Sequence, residues 1–409
     1  MKLYKRKIFV KIEPFIKRKE AIIIKGMRRT GKTTLLRLLE NDLIGRLKIS
    51  KKNIYFFDLE ELSVREDFNA NPRNLLNYIS AKKEKQYIFI DEIQYLDKPA
   101  NFIKILVDHF PNLKIFATGS SSLDIKQKIQ DSLIGRAIYF HLRPLNFFEF
   151  LIFKQKRFSL KVTPNQKNEL EVLLKEYLKF GGMPEIVLEQ NKNIKKELLK
   201  NYVNLYVSKD IRNLVEIGNI GSFNKLIKIL SGQAGSLLDK NEISNTLDIA
   251  FKTLNRYLDI LQHTYIIILL HPFFANLRSK LTKTPKIYFY DIGIRNSVLN
   301  DFNSIDFRID KGALFENFIL LELLSIFNSS DIFFYRTAKQ TEIDFIVESE
   351  KIAVEVKCKK YKNRRIFRVF DSFKNFDNQI VNLNFNEKLK YYDFIDWWHF
   401  LNKIKNREK

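Results

Sequence analysis

The residues with the clearest chemistry lie near the amino terminus, in AIIIKGMRRTGKTTLL. Gly26, Met27, Arg28, Arg29, Thr30, Gly31, Lys32 and Thr33 fill the template G-x-x-x-x-G-K-[ST], and Thr34 continues it into an apolar-periodic helix. Two glycines let the backbone curl so that successive N–H groups face phosphate oxygens, and the helix start adds its positive end. Lys32 then reaches the β- and γ-phosphates as a point charge, and the Thr33 hydroxyl is a ligand for Mg²⁺. A buried strand before the loop and a helix after it supply the context this chemistry requires. The stretch is predicted to be a site for ATP with Mg²⁺.

A second constellation follows in QYIFIDEIQ. Apolar Ile88, Phe89 and Ile90 place Asp91 at the carboxyl end of a buried strand, where open α/β sheets bind ligands. Asp91 is assigned to the Mg²⁺ shell, and Glu92 to orienting the attacking water. Thr118, Gly119 and Ser120 close the next strand, either as a γ-phosphate sensor or as an ordinary turn. Arg136 and Arg143 are candidates for an arginine that neutralises transition-state charge, with Arg136 preferred.

The last constellation is Glu316 on a predicted helix, Asp344 on a strand, and Glu355 with Lys357 on the next. Acid, acid, then E-x-K is the order of PD-(D/E)XK nucleases. Residues two apart on a strand share a face, so Lys357 stands beside Glu355 and a divalent cation held with Asp344. Cys358, the chain's one cysteine, points to the opposite face as a core residue and excludes an internal disulfide.

Elements must position these groups. Short, nearly all-apolar strands alternate with helices through residues 1–158, implying a parallel sheet covered on both faces. A helical lid is expected over 159–218, a winged helix over 219–275 and a nuclease-like α/β domain over 276–409. In the winged helix, residues 250–262 are the third helix, which enters the DNA major groove. Lys252, Thr253, Asn255 and Arg256 take its exposed face, while Leu254, Tyr257, Leu258 and Leu261 face the core. A packing module is the other use of such a fold.

The whole chain has 409 residues and a formal net charge of +24, an excess that favours polyanions, nucleic acid before membrane. No apolar run is long enough to span a bilayer, and the first residues lack a secretory h-region, so a cytoplasmic location is expected. Five histidines leave little for a zinc cluster. Oligomeric state, including a homo-oligomer, stays open.

Taken in order, GMRRTGKTT, YIFIDEIQ, ATGSSS, GR followed by RPLNFFEF, and FGGMPE resemble a group of bacterial and archaeal AAA-type ATPases. In that group the ATPase precedes a C-terminal domain of unknown function with a restriction-endonuclease-like fold. The resemblance implies an ASCE-type P-loop ATPase, with Lys32, Thr33, Asp91 and Glu92 on its Walker A and Walker B positions. The resulting expectation is an ATPase that acts on DNA. The alternative is an ATP-driven switch or scaffold for a protein partner, with a silent nuclease fold.

Overall fold

The computed structural model describes residues 4–80, 84–119, 133–205, 220–274, 283–337, 341–358, 369–383 and 393–407. The chain forms two compact units, Met1–Pro144 with His263–Tyr265, and Leu145–Gln262 with Ile266–Lys409.

The first unit is built on five parallel strands: β1 (Ala21–Lys25), β2 (Ile54–Asp58), β3 (Gln86–Asp91), β4 (Leu113–Gly119) and β5 (Ala137–His141). Their spatial order is β2-β3-β4-β1-β5. Every residue of β1, β3 and β4 is buried, as parallel strands covered on both faces require. Alternation divides β1 between two cores. Ile23 packs on one side with Ile88, Ile90 and helix α4 (Pro99–His109), reached through Phe102 and Leu106. Ile22 and Ile24 pack on the other with Leu35, Leu36 and Leu39 of helix α2 (Lys32–Gly45) and with Phe9 and Ile12 of α1 (Ile8–Ile12). Helix α3 (Leu62–Ala70) adds Val64 and Phe68 to the first core. Because all strands run parallel, their carboxyl ends share one edge, and the loops there meet.

The second unit begins with helices α5 (Phe147–Phe153), α6 (Pro164–Phe180), α7 (Pro184–Leu188) and α8 (Lys192–Leu205). The sequence runs RPLNFFEF and FGGMPE find structural explanations here. Asn146 caps α5 by accepting from the Glu149 N–H at 2.9 Å, and the Phe147 N–H donates to the buried Glu322 carboxylate at 2.7 Å. The Phe147 ring lies edge-on to Tyr177, Phe318 and Trp397. Gly181 adopts φ 76°, and a Cβ there would lie 2.2 Å from Oδ1 of buried Asp291. Asp291 in turn accepts the Gly182 N–H at 2.7 Å and caps α12 (Ile292–Val298) through the Ile294 N–H at 3.0 Å.

Helices α9 (Ile220–Gly232), α10 (Lys240–Leu247) and α11 (Phe251–His263) precede the antiparallel pair β6 (Ile267–Leu270) and β7 (Lys286–Phe289), to which Leu237 adds one bridge. Leu254, Tyr257, Leu258 and Leu261 are buried, and Ile260 joins them. The carboxyl-terminal sheet has the order β12-β11-β10-β9-β8, with β8 (Ile332–Arg336), β9 (Glu342–Val347), β10 (Ile352–Lys357), β11 (Asp377–Asn382) and β12 (Asp393–Asp396). Neighbours β8, β9 and β10 are antiparallel, whereas β10, β11 and β12 are parallel. Helix α13 (Lys311–Leu324), buried along most of its length, and α14 (Trp397–Lys405) complete the unit.

Candidate functional site

The phosphate loop leaves β1 and turns into α2 with its backbone held from three sides. The Thr30 hydroxyl donates to the Met27 carbonyl at 2.7 Å, closing the loop on itself. Gly26 passes so close to the strand-end backbone that an added Cβ would lie 2.3 Å from the Leu142 carbonyl oxygen. Arg6, a buried residue ahead of α1, donates to the Thr30 carbonyl at 3.1 Å and to the Arg143 carbonyl at 2.8 Å. Arg6 escaped the sequence reading because it lies outside every motif; only the tertiary fold brings it to the loop. Lys32 is buried, with Nζ 3.3 Å from the carbonyl oxygens of both Gly26 and Met27.

Asp91 meets the loop from β3. The Thr33 hydroxyl donates to Asp91 Oδ2 at 2.6 Å, and the Thr118 hydroxyl donates to Oδ1. The Thr118 oxygen also accepts the Glu92 N–H at 3.0 Å. Burial pushes the Asp91 carboxyl up, the Thr118 and Thr33 hydroxyls oppose this, and nearby Glu92 and Asp58 reinforce it. Asp58 pairs in register with Asp91 at the end of β2, a neighbour signalled in the sequence by a strand ending in acid. The residues fit Mg²⁺: the Thr33 hydroxyl and the Asp91 carboxylate are hard oxygen donors in mutual contact at the start of α2 and would hold such an ion. Glu92, at φ 54°, stands beside them and accepts from the Gln94 amide.

The other predicted residues fare differently. Thr118 is engaged with Asp91, Gly119 ends β4, and Ser120 lies outside the described residues. Arg136 is corrected. It stands before β5, its carbonyl accepting from Ala21 at the amino end of β1, and its guanidinium pairs with Asp108 at 2.7 Å. The parallel strand length separates it from its own chain's phosphate loop, so it does not serve that site. Arg143 follows β5 on the loop's side, where the Leu142 N–H donates to the Lys25 carbonyl at 2.7 Å. On α11, Lys252 and Arg256 are exposed and Thr253 and Asn255 half-buried, with Asn255 accepting from Lys240 at 2.8 Å.

Three of the carboxyl-terminal acids, Glu316, Glu342 and Asp344, converge on a lysine. Lys286, 3% exposed on β7, lies 2.9 Å from Glu316, 3.6 Å from Asp344, and in contact with Glu342. The Tyr288 hydroxyl donates to Glu316 at 2.5 Å, and the Val356 N–H donates to Asp344 at 2.8 Å. Lys357 pairs with Glu355. Burial would lower the Lys286 ammonium's pKa, but Tyr288 and the carboxylates of Glu316, Asp344 and Glu342 hold it well above its ordinary value. Burial and the charge of Asp344 raise Glu355. Among the described residues, no group of three His, Cys, Asp or Glu side chains is arranged to hold a metal ion. The expected site is thus corrected as not open: the Lys286 ammonium lies against Glu316, Asp344 and Glu342. Glu342 was legible as the same-face neighbour of Asp344; Lys286, far off in sequence, carried no signal. Cys358 is also corrected, being half-buried just past β10 rather than in the core, and burial pushes its thiol up to about 12.

Comparison with known proteins assigns an AAA domain to residues 18–151, a domain of unknown function (DUF8612) to 171–304 and another (DUF4143) to 311–400. An uncharacterized protein of Methanocaldococcus jannaschii is 32% identical over 85% of this chain and 76% of its own length. One from Haemophilus influenzae is 25% identical over 86% and 87%. Among solved structures, the DNA-complexed Orc1 protein of Aeropyrum pernix covers 73% of this chain and 94% of its own at 12% identity, with a TM-score of 0.33, an overlap too loose to argue from. No helix among the described residues is long and apolar enough to cross a membrane.

Proposed function

The chain belongs to the family of that Methanocaldococcus jannaschii protein, a family of AAA-type ATPases, and from this premise we propose that it hydrolyses ATP with Mg²⁺ to drive an action on DNA. The observation that carries the ATP reading is the continuous hydroxyl–carboxylate chain from Thr33 through Asp91 and Thr118 to the Glu92 backbone. It ties the phosphate loop to the two strand ends whose side chains would hold the ion and the water. Lys32 withdraws from the two loop carbonyls to meet the β- and γ-phosphates, and Thr33 with Asp91 holds Mg²⁺. When bound, the ion would supply charge neutralisation at the β- and γ-phosphates. Glu92 accepts a proton from, or orients, the water that attacks the γ-phosphate, and Arg6 keeps the loop's outer turn in place. Arg143, which follows β5 at the loop's end of the sheet, replaces Arg136 as the candidate for neutralising the developing charge.

DNA is the polyanion that best suits a +24 chain whose helix α11 presents Lys252 and Arg256 opposite a buried apolar stripe. In this reading residues 1–158 are the ATPase core, 159–218 its lid, 219–275 a winged helix and 276–409 a nuclease-like domain. The test is the ATPase rate with and without single-stranded, duplex and branched DNA. Stimulation by any of them supports the reading, and an identical rate with all three favours a switch for a protein partner.

A further inference from the structure

The carboxyl-terminal cluster contains four carboxylates, Glu316, Glu342, Asp344 and Glu355, gathered from α13, β9 and β10. A metal would be expected to sit among such acids. The place is taken by the Lys286 ammonium, which comes from a different part of the unit, the β6–β7 ladder. The whole residue is buried, and Tyr288, two residues on and on the same face of β7, also donates to Glu316. One strand thus delivers two donors to the acids, a cation and a hydroxyl. Lys357 neutralises one Glu355 oxygen, while the other oxygen of Glu355 is buried without a hydrogen-bond partner.

We propose that Lys286 is the resident cation of this cluster, standing where a divalent ion would otherwise bind, and that the cluster is an ionic clamp joining the β6–β7 ladder to the carboxyl-terminal sheet rather than a nuclease centre. Two observations bear on this besides the acids themselves. The ammonium lies within contact distance of three carboxylates at once, so an incoming ion would have to share the space with a like charge in a region from which water is largely excluded. The second is the Glu355 oxygen buried without a hydrogen-bond partner, in a place where burial and neighbouring Asp344 raise both Glu316 and Glu355. Removing the ammonium, while leaving the acids, should therefore create a metal site that the natural chain lacks. No residue of the ATP site enters this inference, so its failure and the failure of the ATPase reading are separate events.

The experiment is Mn²⁺ binding to the nucleotide-free full chain, followed by electron paramagnetic resonance and by the ion's effect on thermal unfolding. The natural chain and its Asp344→Ala variant should give superimposable binding curves, because no ion resides at this cluster. Lys286→Ala should bind one more Mn²⁺ than the natural chain, and Asp344→Ala added to it should remove that ion. Lys286→Met keeps the buried stem and carries the same test if Lys286→Ala does not fold; its melting temperature should rise with Mn²⁺ while that of the natural chain does not. A natural chain that binds Mn²⁺ and loses it on Asp344→Ala would overturn the proposal. So would a folded Lys286→Met chain that gains no ion, since the ammonium would then not be what keeps metal out.

Discussion

At the scale of single residues, the proposed ATP site separates binding from turnover. Lys32 is a buried cation folded against the loop carbonyls of Gly26 and Met27, whereas Glu92 bonds through its backbone to Thr118 and through its carboxylate to the Gln94 amide. Lys32→Ala should abolish nucleotide binding, measured by titration with a fluorescent ATP analogue. Glu92→Gln should bind the analogue as tightly as the natural chain yet lose at least a hundredfold in turnover, about 3 kcal/mol of transition-state stabilisation. Normal turnover by Glu92→Gln would remove the role assigned here. Asp310 offers a residue-scale reading of pH. The guanidiniums of Arg308, at 2.6 Å, and Arg295 outweigh its partial burial and hold its carboxyl down at about 2. A depressed carboxylate stabilises the fold above its unfolded value, near 3.8, and that stability is lost as pH falls toward 2. Acid unfolding of Asp310→Asn should accordingly lack this component, and an unchanged acid limb would show that the pair contributes nothing.

At the scale of elements, the turn between α6 and α7 rests on a glycine that no other residue replaces. Gly181→Ala would need a left-handed backbone and a Cβ inside the Asp291 carboxylate, which itself holds the Gly182 N–H and the start of α12. The expected cost is about 2 kcal/mol or more from backbone strain and the displaced acid together, read as a lower denaturant midpoint. An unshifted midpoint would mean that the turn rearranges freely. Helix α11 allows the complementary test. Lys252 and Arg256 are exposed, so replacing both with alanine should leave the melting temperature within a degree or two while weakening DNA binding. Unchanged DNA affinity would return the helix to a packing role.

At the scale of the whole molecule, the excess of basic over acidic residues predicts a particular salt response. If the +24 charge meets duplex phosphates, the logarithm of affinity should fall with the logarithm of salt at a slope of about −0.9 per phosphate neutralised. The Lys252 and Arg256 double replacement should reduce that slope by about two such units, because two phosphate contacts are lost. Binding that ignores salt would sink the electrostatic reading of the charge.

What the sequence by itself determined is local and periodic. The phosphate loop, the acid closing a buried strand, the alternation of strand and helix through the first unit, and the buried stripe of α11 all follow from patterns within a few residues. Backbone geometry turns those patterns directly into faces and ends. What only the tertiary structure decided depends on which distant segments meet. Arg136 shares its stretch of sequence with Arg143, yet the direction of β5 puts Arg136 at the wrong end of the sheet. Arg6 reaches the loop from outside every motif. Asp344, Glu355 and Glu316 were legible as an acid set because strand period and helix order aligned them. That their cation is Lys286 was not, since a lysine in KIYF reads as any strand-edge residue until β7 is laid against α13 and β9. Charge in a buried site is a sum over every neighbour, and neighbours brought together by the fold are not written next to one another in the chain.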